Sequence, residues 1–514
     1  MMKKTYLFAV VLLCFASSSV AQNESEGLRF SRTTHLGTAR FAAMGGAFAA
    51  LGGDAGAIAF NPAGIGVYRS NEFTITGNLL SAVTDVTYMG QKSNDYRYNF
   101  GLSNIAAVGV YNFGDDEGLI SMSFGFSFNR TNNFAQRYAA VGRYQNSNTY
   151  LDYFAMRGTN DGNLPGKLRD NEAYMAYKTY LINHQDSTKN IYFPSLVDGD
   201  ETQVRQYTEL SGSLSTYDFS FGGNVSNVAY FGVGIGISAV EFNENNTASE
   251  YAAENNKSEF RNFSYNKKFE QRGVGYNFKF GVIAWPFVNA DVLNGLRLGA
   301  AVHTRTFLNM NDEYSANIVS NRTFGSEKAW VDPNKFFYNI ETPTRIMGGL
   351  AYVFSGSAVD DWRGILSADY EYVDYSSIKL REERDHPALS PDDPHYNVSN
   401  ANIKEFHKGT HNVRLGGELG YKNIAFRLGY AYYDNPYTDK AKKDGTINIF
   451  SGGLGLQISS MFNINLTYSL TNQKDKEYMY YAESQVSEFP NIISEAKEYT
   501  MYQSNFFISL GWRF

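Results

Sequence analysis

The residues able to make or break bonds are few and poorly grouped. The histidines are His35, His184, His303, His386, His395, His407 and His411. His407 and His411 would share one face of a strand, but four strand residues span about 13 Å, too far for two imidazoles to hold one metal. Asp385, Asp392 and Asp393, with His386 and His395, could gather a surface cation, although such a polar run reads first as a solvated loop. No glycine-rich phosphate loop follows a strand and opens a helix. A hydrolase at a barrel rim would need Ser/His or Asp/His convergence, which linear spacing does not supply. The expectation is a protein without catalytic residues, cofactor or metal. The other chemistry-bearing residues are cations: Lys279, Arg297, Arg305, Arg345, Arg414 and Arg427. Arginine binds carboxylates in bidentate fashion, but it also pairs with nearby acids such as Glu418. Which of these it does depends on the elements that carry it.

Those elements alternate. Phe506, Ile508, Leu510, Trp512 and Phe514 fall on one face, against Asn505, Ser509, Gly511 and Arg513. Phe462, Ile464, Leu466, Tyr468 and Leu470 do the same against Asn463, Asn465, Thr467 and Ser469. So do Ile424, Phe426, Leu428, Tyr430 and Tyr432 against Ala425, Arg427, Gly429 and Ala431. Period two puts each set on one side of a strand. A soluble sandwich would alternate too, but three features favour a membrane barrel. Aromatic rings sit at the ends of the apolar faces, as at a bilayer interface. The opposite faces carry Gly, Ser, Asn and scattered Arg, which suits a wet lumen. Many segments also reach the roughly 9–11 residues needed to cross hydrocarbon at a tilt. No run of eighteen apolar residues follows the N-terminal segment, so helical spans are not expected.

The predicted strands are 71–81, 99–113, 118–131, 213–225, 228–242, 272–285, 294–308, 343–354, 362–376, 407–421, 422–434, 446–459, 460–472 and 498–514. About fourteen antiparallel strands is an even number, as a closed single-chain barrel prefers. Short turns alternate with longer connections at 82–98, 132–212, 243–271, 309–342, 377–406, 435–445 and 473–497, the longest being 132–212. The long connections are expected outside the cell and the short ones in the periplasm. Within 132–212, Tyr174, Tyr177 and Leu181 stand at helical spacing, with Arg169 and Lys178 nearby. That pattern fits an aromatic lid or a self-packed cap. The fold expected is therefore all-β: a transmembrane β-barrel over 71–514.

The N-terminus fixes the expected compartment. Lys3 and Lys4, the apolar stretch Tyr6–Phe15 and Ser19-Val20-Ala21 have the layout of a secretory signal peptide over 1–21. Cleavage there would remove Cys14, the single cysteine, and with it any disulfide or thiolate chemistry. A net charge of −7 gives no basic surface for nucleic acid. With 16% aromatic and only 19% charged residues, the chain is not a disordered one.

Residues 22–70 do not alternate. Small residues and paired glycines run from Thr38 through Ala42-Ala43-Met44-Gly45-Gly46-Ala47 and Gly52-Gly53-Asp54 to Asn61-Pro62-Ala63-Gly64. That is the composition of short helices and turns, and a segment of this kind ahead of the first strand is a candidate lumen plug. From Thr38 to Arg69 the chain resembles the N-terminal hatch of the FadL family, with that family's Asn-Pro-Ala triplet on Asn61, Pro62 and Ala63.

The resemblance implies an outer-membrane barrel of a Gram-negative bacterium that transports long-chain fatty acids or other hydrophobic compounds. It implies fourteen strands, a hatch at 22–70, and Asn61, Pro62, Ala63 and Gly64 as its gate. Substrate would be captured outside, passed inward and released sideways through the wall. A substrate carboxylate would seek lumenal Arg297, Arg305, Arg414 or Arg427. The expected partners are the outer-membrane bilayer, a hydrophobic small molecule and, through the aromatic C-terminus, the barrel-assembly machinery. The polar connection 243–271 departs from a greasy capture groove. An alternative is therefore a barrel that serves a protein partner at its external loops or as a carrier subunit of a secretion system. A rim hydrolase comes third.

Overall fold

The computed structural model describes residues 24–34, 36–114, 116–145, 148–184, 190–197, 199–287, 294–355, 362–382, 395–441, 443–485 and 489–514. The signal-peptide segment with Cys14, and the carboxylate–histidine run 385–393, lie outside these residues. The main sheet has eighteen ladder segments that join into fourteen antiparallel barrel strands, because four strands are interrupted. The first seven are β1 (Glu72–Tyr88), β2 (Gln91–Asn112), β3 (Leu119–Asn133 and Gln136–Gln145), β4 (Glu201–Val225), β5 (Ala229–Ala252), β6 (Phe260–Ala284) and β7 (Leu296–His303 and Phe307–Arg322). The rest are β8 (Gly325–Glu341 and Arg345–Ser355), β9 (Trp362–Asp374 and Lys379–Glu382), β10 (Gly409–Tyr421), β11 (Ile424–Tyr433), β12 (Ile447–Gln457), β13 (Phe462–Tyr478) and β14 (Ala496–Arg513). β14 pairs with β1 from Arg513 opposite Glu72 to Glu498 opposite Thr87, which closes the cylinder. Closure leaves no edge for lipid to desolvate.

The outer face carries an apolar band. On β6 it runs through Val274, Tyr276, Phe278, Phe280 and Val282, all exposed, while the residues between them face inward. Leu466 and Phe426 likewise point out, and their neighbours Thr467 and Ala425 point in. On β5 the outward residues Phe231, Val233, Ile235 and Ile237 belong to the band, and Glu241 lies beyond it. Among the described residues no helix is long and apolar enough to cross a membrane.

Above the band the strands continue, which corrects several predicted connections. Stretch 82–98 is a continuous hairpin turning at Met89-Gly90, and 309–342 is a hairpin turning at Thr323-Phe324. The polar stretch 243–271 is mostly strand, with only 253–259 between β5 and β6. The connection expected at 132–212 narrows to 146–200, because 136–145 pairs with 201–210. Alternation marks a strand only where one face meets lipid or a core; in water both faces are polar and the signal disappears. His407 precedes β10 rather than sharing its face with His411; it is buried and bridges to Tyr437, whereas His411 lies outside between Tyr370 and Tyr372.

The described residues of the stretch 146–200, namely 148–184, 190–197 and 199–200, fold as a cap. The cap's first helix (Tyr150–Asp161) starts with a Thr149–Asp152 capping box and ends at Gly162 in the left-handed conformation. Its second helix (Asn171–Lys178) is N-capped by Asp170. Their apolar faces pack with Tyr88, Tyr138, Tyr265 and Phe263 into one buried cluster, so the Tyr-rich connection is a self-packed cap.

Candidate functional site

Residues 24–34 and 36–68 pack against the inner face of the barrel. Helix αA (Glu24–Ser31) packs Leu28 and Phe30 against Leu214, Phe242, Leu308 and Ile340 of the wall. Helix αB (Ala39–Ala43) begins at Thr38, whose hydroxyl accepts from the Phe41 amide at 3.1 Å and donates to Asp54 at 2.8 Å. Asn61 then caps a 3-10 turn over Pro62–Val67. Its Oδ1 accepts from the Ala63 amide at 3.0 Å, and its Nδ2 donates to the Ala49 carbonyl at 2.6 Å. Longer contacts of 3.4 and 3.5 Å reach the Val282 and Ala300 carbonyls. Those two residues face each other across an intact β6–β7 ladder, so Asn61 meets a continuous part of the wall. Pro62, having no amide hydrogen, stands where a helical turn leaves its first donors unpaired.

Glycines stand at many of the points where the hatch touches the wall. A Cβ on Gly281 would fall 1.8 Å from Asn61 Oδ1, and one on Gly299 would fall 2.0 Å from the Ala49 carbonyl. On Gly232, Gly349, Gly416, Gly429 and Gly453 of other strands a Cβ would fall 2.1–2.8 Å from hatch atoms. The alternation of Gly into the lumen face was visible in the sequence; what it accommodates was not. Polar wall groups then bind hatch backbone. Ser509 Oγ accepts from the Ala39 amide at 2.7 Å, and Asp369 accepts from the Ala49 amide at 2.8 Å. Thr467 Oγ1 donates to the Ala39 carbonyl at 2.6 Å, and Lys279 donates to the Ala59 carbonyl at 2.9 Å.

Of the predicted cations, Lys279, Arg345, Arg414 and Arg427 are buried on the inner face and held in ion pairs, whereas Arg305 is partly exposed. Arg414 and Arg345 flank the buried Glu371, the latter at 2.8 Å. Glu418 joins Arg427 to Arg40 of the hatch, with Arg40 at 2.9 Å. Lys279 pairs with Asp218, and Arg305 with Glu341 at 3.5 Å. Arg297 has no carboxylate partner among the described residues; it lies over the Trp285 ring at 4.9 Å and approaches the Leu51 carbonyl at 3.4 Å. Beneath the hatch, a polar vestibule of about 480 Å³ is lined by Arg40, Asp54, Glu72, Glu418, Arg427 and Arg513.

One seam interrupts the wall. The β2–β3 ladder stops at Asn104 opposite Asn129, beside a bulge at Ser103 in β2 and a register shift at Arg130–Asn132 in β3. Hatch residues occupy the freed β3 edge: the Thr34 and Leu36 amides donate to the Thr131 and Arg130 carbonyls, each at 3.2 Å. Ser103 donates to the Gly37 carbonyl at 2.6 Å. On the outside, Tyr96, Tyr98 and Phe100 form an exposed ladder along β2. Phe100 lies opposite Leu79, and Leu79 opposite Phe506, all three facing outward. The seam thus joins the hatch's first loop to the lipid face. Sequence reasoning missed it, because a ladder that ends changes pairing and not alternation.

No family model matches the sequence, and no curated protein matches it. Solved structures do. A Pseudomonas aeruginosa FadL homologue superposes over 94% of this chain and 99% of its own, with a TM-score of 0.52 at 11% identity. The TodX deltaS2S3 mutant, a monoaromatic hydrocarbon channel, aligns over 93% and 99%, with a TM-score of 0.50 at 12% identity. The Ralstonia pickettii toluene transporter TbuX is 16% identical over 94% and 99%, with a TM-score of 0.49. The fold is that of the FadL-type transporters: a fourteen-stranded antiparallel barrel.

Proposed function

We propose that this protein moves a hydrophobic small molecule across the outer membrane of a Gram-negative bacterium, with residues 24–70 as the plug and the β2–β3 seam as the side exit. The observation that carries this reading is the seam itself. Among the described residues the backbone edges of β2 and β3 part there within the apolar band, and Thr34 and Leu36 of the hatch bond the β3 edge from inside. A plugged lumen excludes polar solutes, while an apolar molecule leaving sideways never has to pass the polar vestibule below the hatch. Pairing of Arg305, Arg414 and Arg427 with carboxylates leaves them little charge for a substrate, so Arg297 is the candidate lumen cation with charge to spare.

The test is a tether across the seam. Asn133 Nδ2 lies 3.3 Å from Asn99 Oδ1, so Asn99→Cys with Asn133→Cys places two thiols across it. Oxidation should abolish uptake of a hydrophobic probe and reduction should restore it; uptake that continues through the cross-linked wall defeats the side exit. A protein partner is the second reading, motivated by Phe324, Trp330 and Phe337, which stand exposed above the band. A stoichiometric protein co-purifying with the barrel, and lost on substitution of these rings, would favour it.

A further inference from the structure

The lipid face of the barrel is not evenly filled. An open apolar groove of about 570 Å³ crosses it from β7 to β11 within the apolar band. Two cross-strand rows build it. In one, Ala368 stands between Leu350 and Leu415; in the next, Gly417 stands between Leu366 and Leu428. The four leucines, all exposed, are its walls, and Ala368 and Gly417 are its floor. That floor is one backbone thick. On the inner side, a Cβ on Gly416 would fall 2.6 Å from the Met44 carbonyl oxygen and one on Gly429 would fall 2.1 Å from the Gly45 amide nitrogen, so the hatch already fills the wall from within. On the outer side there is room: a Cβ on Gly417 would meet Leu366 at 3.8 Å, an ordinary contact. The two ends of the groove's strands differ. Along β10, Gly417 lies four residues, about 13 Å, from Tyr421 at the short-turn, periplasmic end, and six residues, about 20 Å, from His411 at the other. Tyr421 faces Trp362 as an exposed ring pair with centroids 4.6 Å apart, and the exposed Lys422 lies with its ammonium 5.2 Å over the Tyr421 ring. Lys422 has no carboxylate partner among the described residues. His411, by contrast, is already bonded to the Tyr370 hydroxyl at 2.6 Å.

We infer that this groove is a lipid site: it holds one acyl chain of a glycerophospholipid from the periplasmic leaflet, whose phosphate sits on Lys422 beside the Trp362–Tyr421 pair. Tyr and Trp rings with a neighbouring cation mark the level of the headgroups. Half of a hydrocarbon core is about 15 Å thick, so a chain that starts at that pair reaches Gly417 within its own leaflet. A depression left empty forfeits dispersion contacts along its whole lining, and a flexible chain follows an open furrow. A second copy of the barrel would present a convex wall, which bridges a furrow without filling it. The phosphate supplies the negative charge that Lys422 lacks among its described neighbours. The lipid thus backs from outside the stretch of wall that the hatch presses from inside.

The test is native mass spectrometry of the full barrel, released from detergent micelles that contain 1-palmitoyl-2-oleoyl-phosphatidylglycerol. The wild type should keep one phospholipid per barrel after the detergent is stripped. Gly417→Leu fills the furrow at ordinary contact distance, so the barrel should assemble while retention falls by about fivefold or more. Lys422→Ala, in an exposed turn, should lower retention by about threefold. Val233→Leu, on the lipid face of β5 away from the groove, should change nothing. Equal retention by the wild type and Gly417→Leu would overturn the acyl-chain site, and equal retention by Lys422→Ala would overturn the headgroup placement. Retention of lipopolysaccharide in preference to the phospholipid would move the ligand to the other leaflet, and a dimer that Gly417→Leu dissolves would give the groove to a second copy; either result overturns the assignment.

Discussion

Asn61 does three things with one amide: it caps the 3-10 turn, satisfies the Ala49 carbonyl and lies against Gly281. Asn61→Ala should weaken hatch docking by about 1–3 kcal/mol, through loss of the cap and a buried carbonyl left bare. Hydrogen exchange over 49–64 should quicken, while the barrel keeps its gel mobility. Pro62→Ala should do less, since the chain only regains freedom and a donor at a position that needs none. Glu418→Gln tests the other anchor: with the carboxylate gone, Arg40 and Arg427 face each other without a counter-charge. A cost of about 1–3 kcal/mol is expected, tempered by the wet vestibule, and protease should reach αB sooner. The Asn61-Pro62-Ala63-Gly64 turn was legible because its chemistry is local. Glu418 with Arg427 was legible in kind, since the two sit opposite each other on neighbouring strands. Arg40 with Glu418 was not, because 378 residues separate them.

Strand predictions divide by face. Leu466→Arg or Phe426→Arg on the lipid side should cost roughly 2–4 kcal/mol near the midplane and lower the yield of assembled barrel. Thr467→Ala on the lumen side, which loses one bond to Ala39, should cost about 1 kcal/mol. Equal tolerance of both faces would contradict the orientation of these strands. The cap responds to pH instead. Glu250, on β5 beyond the apolar band, accepts from the Tyr150 amide at 3.2 Å and from Thr202 at 2.6 Å. Burial outweighs those bonds and raises its pKa from 4.5 to about 8. A folded pKa above the unfolded one means that the docked cap favours the protonated acid. Its stabilising share is therefore complete below about pH 4.5 and lost as the pH rises toward 8. For Glu172 burial is outweighed by Lys267, Arg157 and the Tyr153 and Tyr265 hydroxyls, so its pKa is lowered and its share fails only at more acidic pH. Protease should thus cut 146–200 faster at pH 8.5 than at pH 5, and Glu250→Gln should flatten that difference. The membrane portions of the strands were readable because lipid imposes period two. Their extensions at 82–98, 243–271 and 309–342 were not, because water asks for nothing on either face.

At the scale of the whole molecule, the barrel and its hatch depend on each other unequally. The strand ladder closes through β14 and β1 without help from residues 24–60, whose backbone-to-backbone bonds to the wall, among the described residues, lie along the short seam at 130–131. The hatch has no comparable independence. Its helices are eight and five residues long, too short to persist alone in water, and its apolar residues Phe41, Phe48 and Phe60 are buried with Met347 and Ala351 of the wall. Deleting residues 24–60 should therefore leave an assembled barrel. That barrel would have lost what now covers the glycines at 299, 349, 416 and 429, where no side chain projects into the lumen. It would also lose the hatch-facing partners of Asp369, Ser509 and Lys279, leaving a polar wall that water can wet. The expected result is a water-filled pore, seen as single-channel conductance in planar bilayers and as sensitivity of cells to large polar antibiotics. Asn61→Ala should leave the membrane electrically tight, because one lost anchor loosens the hatch without removing its bulk. A deletion barrel that assembles, reaches the outer membrane and conducts no ions would show that residues 24–60 are not the plug. The side exit would then have to operate without the gate proposed for it.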